Sequence, residues 1–298
     1  MKTIHIDKCP ICSSTKLFPH MKVTDIPYSG ETYEVEVCQN CSFALTQDAP
    51  SEEEMGKYYN FDNYMSHADA AESVVDKLYH KVRDWMFVRK EKWIKAHITG
   101  RQLLDLGAGT GYFVNYMQIQ DYKITGVEPE PGARKTAAEK LGIELHSMEA
   151  MRNFEEGSFD GITMWHVLEH IHEIDAYFET INKVLKKDGA LFIAVPNYTS
   201  AAKKAFEEYW NGWDVPKHLW HFSPSSMETL ANKKGYDLEA KYQLPFDPFY
   251  ISMLSQRNKS VNFWQIRGLF RGFGAYLKER SNVDKACSIL YVLKRRSS

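Results

Sequence analysis

The chain has 298 residues, 44% hydrophobic and 26% charged, with a formal net charge of −2. That length carries a full α/β core plus one small extra module. The charge predicts no electrostatic attraction to nucleic acid or to an anionic membrane, and no apolar run approaches the ~20 residues of a membrane span. Met1-Lys2-Thr3-Ile4-His5-Ile6-Asp7 lacks the apolar core of a signal peptide, so the expectation is a cytoplasmic protein.

Residues 1–48 hold four of the five cysteines. Cys9-Pro10-Ile11-Cys12 and Cys38-Gln39-Asn40-Cys41 form two C-x-x-C knuckles with 25 residues between them. Each knuckle can place two thiolates on one tetrahedral metal ion, and four of them close a structural zinc site with no open position. Two disulfides are the competing reading, and the absence of a secretion signal speaks against them. Thr32 to Val37 alternates as a strand does, so the segment is expected to be a zinc ribbon. Glu31, Glu34 and Glu36 make nucleic acid an unexpected partner for it, and point to a structural or substrate-covering role.

Residues 49–99 read as a helical linker or lid. Ser51 with Glu54 has the spacing of a capping box. Tyr58, Tyr59 and Tyr64 follow, placed either to close over a ligand or to pack the ribbon on the core. Val75, Leu78, Val82, Trp85, Met86 and Trp93 recur at helical spacing, as one core-facing stripe of a long helix does.

Residues 100–298 alternate strand and helix. Leu103-Leu104-Asp105-Leu106 is an apolar run, Gly107-Ala108-Gly109-Thr110-Gly111 a glycine turn, and Phe113, Val114 and Met117 have helix spacing. A strand, a glycine turn and a helix start build a nucleotide crevice at the carboxyl end of a parallel sheet. The spacing is G-x-G-x-G, and Tyr112 stands where the dinucleotide fingerprint needs its last glycine. Asp105 suits no phosphate but does suit a cationic group, as on a nucleoside carrying a sulfonium and an amino-acid tail. Glu128 ends the next strand, 21 residues after Gly107, where an acid accepts hydrogen bonds from both ribose hydroxyls.

A helix is then expected over Pro129 to Leu141, a third strand over Ile143 to His146 and a fourth over Phe159 to Trp165. Tyr177, Phe178, Ile181, Val184 and Leu185 mark a helix face, and Leu191 to Val195 a fifth strand. Trp210 to Pro224 holds three tryptophans and two histidines without a helix period. Ser223-Pro224 starts a helix, and Leu238 to Leu244 reads as the sixth strand. Phe263 to Leu277 is basic and aromatic, with Gly268, Gly272 and Gly274. It reads as an interrupted helix over a pocket mouth, with membrane contact the minor reading. Ser288 to Leu293 is the last strand, so about 245–285 forms an insertion. Cys287 is expected to be a buried thiol.

Taken with the glycine turn and Glu128, three further segments resemble the class I S-adenosylmethionine (AdoMet) dependent methyltransferases. They are Gly157 to Ile162, Trp165-His166-Val167-Leu168-Glu169-His170-Ile171, and Leu185 to Asn197. The resemblance implies a Rossmann-like seven-stranded α/β sheet, mostly parallel with an antiparallel last strand and helices on both faces. It implies AdoMet contacts from Asp105, Gly107, Ala108, Gly109, Gly111, Glu128, Pro129, Trp165 and His166. Family members often place an acid near the adenine amino group after the third strand. This chain has Ser147-Met148-Glu149 there, so either Glu149 or the Met148 backbone takes that role. The segment before the helix after strand five, Trp210 to Pro224, is similar to that of ubiquinone-type O-methyltransferases and lies where class I methyltransferases build part of their acceptor pocket. Sugar C-methyltransferases also join a zinc ribbon to this domain.

Methyl transfer from a sulfonium needs an aligned acceptor and the management of one proton. A histidine base suits a hydroxyl or a carbon acid near neutral pH. His166, His170, His218 and His221 are the candidates. Each has a plainer reading: His166 as cofactor wall, the others as hydrogen-bonding loop groups. The expected function is methyl transfer to an oxygen or carbon of a small-molecule or sugar acceptor. Two alternatives stand beside it: a zinc-ribbon binding or regulatory protein with a non-catalytic AdoMet site, and a dinucleotide oxidoreductase, which Tyr112 argues against.

Overall fold

The computed structural model describes residues 2–59 and 74–296, with side chains of the first long helix described from His80 onward. In chain order the elements begin with β1 (Thr3–Ile4), β2 (Leu17–Thr24), β3 (Thr32–Cys38), β4 (Ala44–Thr46), β5 (Ala49–Pro50), α1 (Glu52–Met55) and α2 (Val74–His97). Then come β6 (Gln102–Leu106), α3 (Tyr112–Ile119), β7 (Lys123–Val127), α4 (Pro131–Leu141), β8 (Phe159–Trp165) and α5 (Ile174–Val184). The rest is β9 (Leu185–Pro196), α6 (Ala201–Phe206), β10 (Trp220–His221), α7 (Pro224–Lys233), β11 (Tyr236–Gln243), α8 (Asp247–Asn258), α9 (Trp264–Ser281) and β12 (Ser288–Arg295).

Six strands make the large sheet, in the order β11-β12-β9-β8-β6-β7. β6 pairs in parallel with both β7 and β8, Asp105 standing opposite Gly126 on one side and Thr163 on the other. The expected third strand is reduced to one parallel bridge, Val127 to His146. Glu128 N–H donates to His146 O and His146 N–H to Gly126 O, and there the pairing ends. β9 starts at Leu185, directly after α5, rather than at Leu191.

The chain divides into two units. The first comprises Met1–Tyr59, His166–Ile174 and Ala194–Tyr291; the second comprises Asn60–Trp165, Asp175–Ile193 and Val292–Ser298. In the first, β2, β3 and β4 form the ribbon hairpin, and β10 adds a fourth strand beside β4. That pairing sets Trp220 opposite Leu45 and His221 opposite Ala44. Trp210 and Trp213, expected in a loop that shapes a pocket, are 1% and 0% exposed. They pack with Val23, Val35, Tyr198 and Phe206 into one apolar cluster. Truncating a tryptophan so buried to alanine costs about 3–5 kcal/mol, so this segment is core.

Glycines that read as breaks in a helix instead lie in one continuous helix, α9. A Cβ on Gly268 would come within 2.4 Å of Met253 Cα, and one on Gly272 within 2.6 Å of Phe249 Cα. The glycines let α9 and α8 approach closely. The Ser51 capping box does not form, because the Glu54 carboxylate is drawn to Lys57. In α2 the expected stripe holds at Trp93, which is buried, and at Val82 and Met86, which are half-buried, but Trp85 is 45% exposed, while Phe87 and Ile94 join the buried side. Tyr64 and the side chains of Val75 and Leu78 lie outside the described residues. Cys287 is buried, as expected.

Candidate active site

The crevice is built within the second unit, at the carboxyl ends of β6, β7 and β8. Gly107, Gly109 and Gly111 take φ of 71°, 55° and 79°, a left-handed turn that side-chain-bearing residues rarely adopt. Gly107 and Ala108 N–H both donate to Val127 O, which locks the turn onto the end of β7. A Cβ on Gly111 would lie 2.6 Å from Ile143 Cδ1 and 3.1 Å from Ala137 Cβ. Gly111 is therefore small because the turn packs directly on Ile143 and Ala137.

Two buried carboxylates line it. Glu128 accepts the N–H of Gly109 at 2.8 Å and of Glu130 at 3.0 Å, one on each oxygen, so its orientation is fixed. Arg134 caps the carbonyls of Glu128 and Pro129 at 2.7 Å each. Asp105 is 2% exposed and accepts from Thr163 Oγ1 at 2.5 Å. Burial pushes the Asp105 carboxyl up to about 7, against the Thr163 bond and the Lys90 charge. Burial also raises Glu128, against the same two backbone N–H groups. Carboxylates this uncomfortable when ionised call for a cation. Lys90 holds its ammonium 4.0 Å from the Trp165 ring centre, and Phe113 meets that ring edge to face at 5.7 Å. Buried Trp165 Nε1 has no hydrogen-bond partner. A positive-φ cradle, buried acids, an aromatic face and an orphaned donor fit an adenosyl group carrying a sulfonium.

Met148 and Glu149 open a 3-10 turn spanning Met148–Asn153. Tyr177 O–H donates to Met148 Sδ at 3.9 Å, and Glu149 is exposed, its carboxylate held low by the Ser147 side chain. Tyr177 itself is raised by burial and by the charges of Glu128 and Asp105. Sequence reasoning used Tyr177 only as a helix-face residue and missed Lys90; neither carries a motif.

Within the first unit a second cluster gathers around His166, which follows Trp165 directly in the chain. His166 takes a φ of 58°, sparsely populated for a residue with a side chain. Its Nδ1 is 3.4 Å from Glu169 Oε1 and its Nε2 3.3 Å from Asp247 Oδ2. Burial disfavours the imidazolium, but Asp247 and Glu169 outweigh it and raise His166 to about 10. Burial likewise opposes ionisation of Glu169, yet His166, His170 and His218 hold it below the usual carboxylate range. His170 is pushed down to about 4 by burial and by His218, and its Nδ1 lies 3.0 Å from Lys217 O and 3.1 Å from the Tyr59 hydroxyl. His218 Nδ1 is 3.0 Å from Gly212 O. His221 Nε2 is 3.0 Å from Thr46 Oγ1, and burial lowers it well below its ordinary value. The rings of His218 and His221 are both buried.

The four ribbon cysteines are all free, and their sulfurs lie within 4.8 Å of one another. Cys9 and Cys41 Sγ are 3.6 Å apart, and Cys12 and Cys38 Sγ 3.5 Å. Tetrahedral Zn–S bonds of about 2.3 Å would put sulfurs roughly 3.8 Å apart, so the cluster has the dimensions of a metal centre and not of two disulfides.

With that geometry in view, comparison with known proteins gives the class. The family model for a methyltransferase domain matches residues 77–241. The chain belongs to this methyltransferase-domain family. It is similar to the mitochondrial ubiquinone biosynthesis O-methyltransferase of Bos taurus, 25% identical over 183 residues covering 56% of this chain and 49% of that one. The ubiquinone biosynthesis O-methyltransferase of Nitrosococcus oceani is 28% identical over 185 residues, covering 56% and 77%. The chain spans about half the length of the mammalian relatives it matches. Among solved structures, the cyclase SpnF aligns with a TM-score of 0.51 at 16% identity, covering 84% of this chain and 98% of that one. The 1,6-didemethyltoxoflavin N1-methyltransferase of Burkholderia thailandensis, solved with S-adenosylhomocysteine, aligns with a TM-score of 0.50 at 16% identity, covering 87% and 98%. These likenesses establish the fold. Among the described residues no helix is long and apolar enough to cross a membrane.

Proposed function

We propose that this chain is an AdoMet-dependent methyltransferase acting on an oxygen or carbon of a small-molecule or sugar acceptor. The observation that carries the reading is the pair of buried acids, Asp105 and Glu128, over a positive-φ glycine turn. Gly107, Ala108, Gly109 and Gly111 would admit the nucleoside edge, Glu128 the ribose hydroxyls, and Asp105 with Trp165 the cationic end. Pro129, Met148 and Glu149 flank the adenine side. When bound, AdoMet supplies an electrophilic methyl on a neutral leaving group.

The chain's own part is to place the acceptor and manage its proton. Of the four candidate bases, His166 has the most built surroundings: two carboxylates stand within 3.4 Å of its ring nitrogens and raise its proton affinity. Raised to about 10, His166 is an imidazolium at neutral pH and takes the acceptor's proton only once deprotonated, so transfer is expected to rise into the alkaline range. The O-methyltransferase relatives favour an oxygen acceptor. His218 and His221, each bonded within the first unit, serve as loop anchors in this reading. SpnF shows why the fold alone does not fix the chemistry.

The proposed organisation is a ribbon over 1–48, a linker over 49–99 and the AdoMet domain over 100–298, with an insertion at about 245–285. Cys9, Cys12, Cys38 and Cys41 hold structural zinc, and metal analysis is expected to find about one zinc ion per chain, lost in Cys38→Ser. Labelled-methyl transfer from AdoMet to a panel of phenols, catechols and sugars tests the activity. The expected product carries the label on oxygen. AdoMet binding with no transfer to any nucleophile would leave the non-catalytic reading in its place.

A further inference from the structure

The outer face of α9 is organised in the reverse of an ordinary surface helix. Its inner seam is Gly268, Gly272, Ala275 and Glu279, all buried. Roughly opposite that seam run Phe263 at its N-cap, Ile266, Phe270, Phe273 and Leu277, exposed by 74, 56, 75, 53 and 51%. At 100° per residue these side chains fall within an arc of about 80°. Arg267, Arg271 and Lys278 flank the arc on one side and Arg280 on the other, all exposed. The helix's single acid, Glu279, is buried, so every exposed ionised side chain on α9 is a cation. Beside the stripe lies a cavity of about 440 Å³ lined by Phe206, Lys259, Arg267, Phe270 and Arg271.

We propose that α9 is a peripheral membrane-binding element that lies flat on an anionic bilayer. The phenylalanines enter the headgroup boundary and the arginines meet lipid phosphates. An apolar stripe edged by Lys and Arg, on a helix without the hydropathy to cross, is the pattern such helices have. A second copy of the chain fits less well, since self-pairing of this face would set cations against cations. The chain's net charge of −2 gives no hint of the site. The attraction is local, on one helix.

The test is flotation of the full-length protein with vesicles of phosphatidylcholine alone, or with about 30% phosphatidylglycerol added. The wild type is expected to float with the mixed vesicles and not with the neutral ones. Raising salt from about 0.1 to 0.5 M should weaken binding about tenfold. Phe270→Ser with Phe273→Ser, and separately Arg267→Glu with Arg271→Glu, should each reduce it by about tenfold or more. All four positions are exposed, so circular dichroism and melting should not change. Absence of binding to the mixed vesicles, or binding that both double variants retain, overturns the proposal. So does a monomer–dimer equilibrium that Phe270→Ser abolishes without any vesicle binding, which would make the stripe a self-interface.

Discussion

The crevice around Asp105 and the cluster around His166 are made of the same materials, buried carboxylates near a cationic or aromatic side chain, and they balance charge in opposite ways. In the crevice both acids are raised, so each is held where it resists ionisation. In the cluster the acid Glu169 is lowered and the histidine is raised, so charge is matched from within the chain. A self-matched cluster can do proton chemistry without a ligand. In the crevice the Lys90 charge only partly offsets burial, and in the proposed reading the sulfonium supplies the rest. The pH windows differ accordingly. Asp105 goes from 3.8 to about 7 on folding, so unliganded stability falls as pH rises through that span. His166 goes from 6.5 to about 10, so its contribution is full below 6.5 and is lost as pH climbs to about 10.

The largest effect expected is that of Gly111→Val. A β-branched side chain at φ 79°, with its Cβ 2.6 Å from Ile143, should cost about 2–4 kcal/mol of stability and about 100-fold in AdoMet affinity. Melting and calorimetry would show both. A variant that loses stability yet binds AdoMet as the wild type does would mean that the turn does not hold the ligand.

Asp105→Asn sharpens the contrast further, because its two effects have opposite signs. Removing an acid that resists ionisation should raise the melting temperature of the unliganded protein at pH 8. The same change should weaken AdoMet about tenfold. A variant that loses both stability and affinity would mean that Asp105 is a structural acid.

Asp247→Asn acts on the other side of the comparison. Loss of one of two acid partners should lower the His166 titration by about 1–2 units in an NMR titration. The alkaline rise of methyl transfer should move to lower pH by the same amount. A profile that stays put while the resonance moves would take His166 out of the proton step.

Residues adjacent in the chain made the crevice legible. β6, its glycine turn and Asp105 form one run, and Glu128 sits at the end of the next strand. The ribbon was legible for the same reason, since each knuckle is local. The His166 cluster needs Asp247, which enters from the start of α8, between β11 and β12, with no spacing to announce it. Trp210 and Trp213 looked like pocket walls because an aperiodic aromatic stretch does not say whether β2 and β3 will cover it. Gly268 and Gly272 looked like breaks because Met253 and Phe249, which require them to be small, cannot be placed opposite them by pattern alone. Ile143 and Leu145 alternate like a strand, yet only His146 finds a partner.

Calorimetric titration of the folded, zinc-loaded protein with AdoMet at pH 6 and at pH 8 tests the central claim most directly. The account predicts one site per chain, of about micromolar affinity, and binding roughly tenfold tighter at pH 8, where Asp105 is ionised before the ligand arrives. Binding that is absent at both values, or equal at both, would contradict it.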